Sequence, residues 1–200
     1  MPVRAGIAVW SSRCKPWRLG GFLFAPLALA LPSVWAGSAA ATATQPAAVP
    51  VQAQGLGAFR LGMPLGQAAR RMARQDPAAL QIGPGCDERD QSSVWVSVAG
   101  RPMTVMAMAN ARGRIAEVVA SAPHQGPALT EAACHDLAQQ WAQTLSPHLG
   151  QAQRLPTADQ GAARTSSLQW PSGPRLDARH FAGGNTCDLS LHYGTAVPSR

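Results

Sequence analysis

Residues 61–72 carry an apolar stripe, Leu61, Leu65, Ala68 and Met72, at the spacing of one helix face. Pro64 sits where a first helical turn tolerates proline, and Pro77 bounds the helix. After the loop Gly83-Pro84-Gly85-Cys86 the period shortens to two. Val94-Trp95-Val96-Ser97-Val98 predicts a strand, and residues 103–109 and 115–120 predict two more. These last two join through Asn110-Ala111-Arg112-Gly113, where glycine supplies the positive φ of a short hairpin loop. The order then recurs. Thr130 caps a second helix with the stripe Cys134, Leu137, Trp141 and Leu145, ended by Pro147 and Gly150. A polar stretch, residues 151–165, leads to a strand at Ser167–Trp170. Residues 176–182 and 187–193 form a closing hairpin across Gly183-Gly184-Asn185. Trp95 and Trp170 occupy equivalent places 75 residues apart.

Each half reads as a helix followed by three strands. The predicted fold is α+β, two pseudo-repeats with antiparallel strands and the helices packed on one face of the sheet. One domain spans residues 55–197, with halves at about 55–122 and 123–197, and a doubly wound parallel sheet is disfavoured because strands follow one another without helices between them. In the closing hairpin, burial of Leu176, Ala178, Leu191 and Tyr193 on one face selects a pairing of Ala182 with Cys187. That register sets Asp177 opposite His192 on the other face.

The domain opens with Phe59-Arg60-Leu61-Gly62-Met63-Pro64-Leu65. This stretch resembles the LGM helix start of small bacterial envelope proteins of the BamE/OmlA-like group and of the related β-lactamase-inhibitor-like fold. The resemblance covers about ten residues and the coarse topology, and implies helices set against an antiparallel sheet. In BamE a lipid-modified cysteine follows the leader; here Cys14 lies before the apolar run, and no functional residue carries over.

Ahead of the domain, Arg4, Arg13, Lys15 and Arg18 precede a mostly apolar run from Phe22 to Leu31, and Val34-Trp35-Ala36 places small residues where a signal peptidase reads. Residues 1–36 are therefore expected to be a cleaved signal peptide, too short to remain as a membrane span, which needs about 20 apolar residues. Residues 37–54, rich in Ala, Pro and Gln, read as a flexible spacer. Cleavage changes the charge. The whole chain is formally +7, but the mature part keeps thirteen arginines against ten acidic residues, near +3, and its cations are scattered. A nucleic-acid partner would be met by a clustered basic face, so none is expected. The destination is the periplasm or the exterior of a bacterium.

In such an oxidising compartment cysteines pair. Cys134 on the second helix and Cys187 on the apolar side of the last strand are the preferred bond, with Cys86 the alternative partner of either. Cys134-His135-Asp136 contains triad residue types, yet consecutive helical side chains diverge by about 100° and cannot converge. The five histidines show no spacing that suits a metal, and no cofactor is implied. In the first hairpin both faces are apolar, which a one-sided sheet does not need. Met106 and Met108, joined by Ile115 and Val119, are candidates for a face that contacts a protein partner. The expected function is a non-enzymatic binding or envelope-associated protein. The alternative is a periplasmic hydrolase or metal-dependent enzyme, its site assembled around His192 and Asp177.

Overall fold

A computed structural model describes residues 45–122 and 129–194. The predicted leader, the first part of the predicted spacer and His124 lie outside the described residues. In chain order the elements are β1 (Ala48–Val49), β2 (Val51–Gln52), β3 (Gly55–Leu56), β4 (Phe59–Arg60), α1 (Leu65–Met72), a 3-10 helix (Pro77–Leu80), β5 (Gly83–Pro84), β6 (Asp90–Val98), β7 (Arg101–Ala109), β8 (Ile115–Ser121), α2 (Glu131–Leu149), β9 (Gln153–Arg154), β10 (Ala158–Gln160), β11 (Ala163–Gln169), β12 (Arg175–Phe181) and β13 (Thr186–Tyr193).

The predicted α+β pair of helix-plus-three-strand repeats is not what forms. Among the described residues the chain is mostly β: thirteen strands, ten in one mixed sheet and three in a second, with only two α-helices of 8 and 19 residues. The main path runs β1-β6-β7-β8-β13-β12-β11-β10, with β5 beside β6 and β9 beside β11, while β2, β3 and β4 make the small sheet. β1 lies parallel to β6, which makes the large sheet mixed. Sequence periodicity passes over these short strands because two residues carry no period. One of their turns is nevertheless specific. Gly55 has φ +151°, and a Cβ there would stand 2.0 Å from the Phe59 carbonyl oxygen.

Part of the stretch read as a flexible spacer is built into the fold. Val49 and Val51 are buried and belong to the core, so residues 48–52 are held by the sheets. The two tryptophans are not equivalent either. Trp170 is buried and its indole Nε1 donates to the Gly150 carbonyl at 3.0 Å, satisfying the end of α2. Trp95 stands on the opposite face, 41% exposed.

One core fills the space between a single face of the large sheet, the two helices and the small sheet; Leu56, Phe59, Met72, Trp141, Leu145, Leu176, Leu191 and Tyr193 are among its fully buried members. α2 runs to Leu149 and ends at the Gly150 that the sequence marks as its stop. Pro147 lies inside its last turn, where the missing N–H costs one bond, and the helix stops at Gly150 with φ +86°. Thr130 caps its start by accepting from the Ala133 N–H. Along the outer edge of β6, Asp76 accepts from Ala78 N–H through Oδ1 and from Trp95 N–H through Oδ2, so the 3-10 helix covers backbone between β5 and β1 that would otherwise stand open. No helix among the described residues is long and apolar enough to cross a membrane.

Cys134 and Cys187 are joined, with Cα atoms 5.5 Å apart, tying α2 to β13 inside the core. Cys86 is therefore partner to neither, and it is not a free thiol. The bond closes a loop across 53 residues, which corresponds to about 4 kcal/mol on the loop-entropy model. Replacing both cysteines with alanine should lower the unfolding free energy by about 4 kcal/mol, read from the denaturant midpoint and slope together; a change below 1 kcal/mol would show that packing of α2 alone holds the strand.

Candidate functional site

The face of the large sheet turned away from the helices is built by simple alternation. Val94, Val96 and Val98 on β6 go to the core, so Ser93 and Trp95 face outward; Met103, Val105 and Ala107 on β7 do the same to Thr104, Met106 and Met108. Pairing across six strands then aligns two rows. One runs Ser93, Met106, Val119, His192, Arg175 and Gln169; the next runs Trp95, Thr104, Ser121, Ser190, Asp177 and Ser167. Apolar residues lie toward the β6 end and ionisable ones toward the β11 end.

Of the four residues expected on the partner face, two stay there in reach of solvent. Met106 and Val119 are half-buried neighbours. Met108 is buried, with Arg89 Nη2 at 3.3 Å from its sulfur and bonded on to Glu117 at 3.1 Å. Ile115 belongs to the core, because a bulge between Met108 and Ala109 pairs it with Ala109 and moves it to the other face. The sequence alternation across 115–120 does not reveal this shift.

At the other end the polar residues form one connected cluster. Asp177 is 2% exposed. Its Oδ1 accepts from Ser167 Oγ at 2.7 Å and its Oδ2 from Arg175 Nε and Nη2 at 3.1 and 2.9 Å. Nε2 of His192 lies 3.6 Å from the same Oδ2 and 2.9 Å from Ser190 Oγ. The hairpin register differs from the predicted one by two residues: His180 pairs with Cys187 and Asp177 with Ser190, so Asp177 is diagonal to His192, not opposite it. A slip of two preserves every face, which is why burial alone does not distinguish the two registers. Arg175 and Ser167 enter the cluster through that register and were not singled out by sequence pattern, although their alternation with Leu176 and Leu168 placed them on the outer face.

The cluster orients an imidazole, but not as a nucleophilic relay. A relay needs acid and nucleophile on opposite ring nitrogens, whereas Ser190 and Asp177 both address Nε2. Asp177 is already committed to Arg175 and Ser167. Burial pushes the His192 pKa below its ordinary value, with Arg175 and Arg179 adding to that and Asp177 opposing it. Farther along, Thr165 Oγ1 and Arg179 Nε, on paired residues, are buried without a hydrogen-bond partner among the described residues. On the helix side of the sheet His180 places Nε2 2.9 Å from the Leu129 carbonyl, a core histidine held by backbone. Among the described residues no three metal-ligating side chains gather.

Comparison of the chain with protein-family models, with curated proteins and with solved structures finds no match.

Two outcomes follow from this cluster. Asp177→Ala should cost about 3 kcal/mol, the low end for breaking a buried pair because Arg175 keeps some hydration, and urea unfolding measures it. A neutral His192 stabilises the fold fully above its unfolded value of 6.5, and that stability is lost as pH falls through the lower folded value. Between pH 7.5 and 5 the wild type should therefore lose more thermal stability than His192→Gln; parallel losses would remove burial as the cause.

Proposed function

We propose that the protein is an exported binding module that engages a protein partner through the helix-free face of its large sheet. The observation that supports this reading is the layout of that face: Trp95, 41% exposed, stands beside half-buried Met106 and Val119 and leads into a polar row, whereas the opposite face is sealed by both helices. Exposed tryptophan and methionine beside hydrogen-bonding groups suit a contact surface. Export is supported by the leader pattern of residues 1–36 and by an internal disulfide of the kind that persists in oxidising compartments. The hydrolase or metal-dependent reading around His192 and Asp177 has less behind it, since both neighbours of the imidazole address one nitrogen.

Photo-cross-linking residues placed at 95 or 106 of the full chain, in cells, should give a discrete adduct in the envelope or secreted fraction, and the same residue at the exposed Gln140 on α2 should not. Met106→Lys should abolish the adduct from position 95 while moving the thermal midpoint by only a few degrees. Equal adducts from 95 and 140, or recovery of the uncleaved chain from the cytosol, would defeat the reading.

A further inference from the structure

Arginines that read as scattered along the sequence gather in one place. A cleft of about 290 Å³ lies between the last turn of α1 and the small sheet, on the helix side of the large sheet. Arg71 and Arg74 line it from α1 and the residues just after it, and Arg60 lines it from β4. Its two walls are locked together. Gly57, at φ +59°, lets the β3–β4 turn close on α1: a Cβ there would stand 2.9 Å from the Met72 sulfur, and the neighbouring Ala58 N–H donates to that sulfur at 3.2 Å.

No carboxylate answers these charges. The chain holds no Asp or Glu before Asp76. Asp76 itself directs its two oxygens to the N–H groups of Ala78 and Trp95. No acidic residue lines the cleft, and among the described residues none forms an ion pair with Arg60, Arg71 or Arg74. Arg71 and Arg74 stand three residues apart, a spacing at which like charges on a helix repel. The negative end of the α1 dipole favours each of them singly, but it does not account for a third guanidinium brought to the same cleft from β4. Arg60 is steadied within its own turn, where Nε donates to the Gly57 carbonyl at 3.3 Å. Its two terminal nitrogens have no acceptor among the described residues. Guanidinium groups donate in a planar fork that matches the oxygens of a phosphate.

We propose that this cleft binds a phosphate group, carried by a small soluble molecule or by a lipid headgroup, with Arg60, Arg71 and Arg74 supplying its counter-charge and hydrogen bonds. The volume, at the lower edge of the range of about 300–1,000 Å³ for small-molecule sites, suits an anion of headgroup size and not a long polyanion. The site does not depend on the protein-contact role of the helix-free face, since it lies on the other side of the large sheet from Trp95.

The test titrates sodium phosphate into the full chain at neutral pH, with ionic strength held constant by sodium chloride, and follows the arginine Nε–H and Gly57 amide signals by NMR. Saturable shifts at the cleft are expected. Combining Arg71→Gln with Arg74→Gln should weaken binding about tenfold or more, through loss of charge-assisted hydrogen bonds, whereas Arg112→Gln on the exposed β7–β8 loop should change it less than about twofold. The double variant should keep its thermal midpoint, because neither arginine has an ion-pair partner to lose. A parallel arm sediments the protein with phosphatidylcholine vesicles, with and without phosphatidic acid. Sedimentation that needs phosphatidic acid and weakens in the double variant, which carries the same basic leader, assigns a lipid headgroup. Saturation by free phosphate without that difference on vesicles assigns a soluble molecule. No difference between wild type and double variant in either arm would overturn the proposal. A single-stranded oligonucleotide held more tightly than phosphate by the same arginines would also overturn it, in favour of a nucleic-acid surface. None of these results bears on the adducts from positions 95 and 106.

Discussion

Strand β13 is the constraint on which the rest of the structure depends. It pairs with β8 on one edge and β12 on the other, and Cys187 bonds it to Cys134 of α2. Its alternation is strict: Cys187, Leu189, Leu191 and Tyr193 are buried, and Asp188, Ser190 and His192 are half-buried on the other side. With α2 fixed covalently to one face, every strand that pairs outward from β13 must send its apolar residues to that face. The other face then receives whatever the alternation leaves, which toward β6 is Trp95, Met106 and Val119 and toward β11 is the Arg175–Asp177–His192 cluster.

That division links energetics to function. Side chains on the helix side are chosen by volume and hydrophobicity, and a buried hydroxyl such as that of Tyr193 is anomalous there. On the open side the buried carboxylate of Asp177 is tolerated because three donors from Ser167 and Arg175 replace its water. The cluster rigidifies the β11–β13 end, while the β6 end keeps its tryptophan in solvent. Binding surfaces work best when a stiff scaffold carries a few adaptable side chains, and the half-exposed Met106 between Trp95 and Val119 is in that position.

The edges tell a related story. β6 would present an unpaired edge between β5 and β1, but the 3-10 helix after Asp76 covers it, with Asp76 bonded to the Trp95 backbone. The same bond fixes the strand that presents the Trp95 side chain. One carboxyl group therefore serves edge protection and presentation of the open face together.

Much of this was legible in the residues themselves. The six long strands, both helices and the Cys134–Cys187 bond follow from periods of 2 and 3.6 and from which side of each element the cysteines occupy, because burying one face is a local demand. The class of the fold was not legible. Seven short strands are too brief to show a period, and Val49 and Val51 look like linker until the sheets bury them. The bulge that sends Ile115 inward, the two-residue register of β12 on β13, the outward Trp95 against the inward Trp170 and the cleft that brings Arg60 to Arg71 and Arg74 were all decided by tertiary structure. Alternation determines the face of a residue, but its neighbour across the sheet depends on how distant strands slide until packing and hydrogen bonds agree.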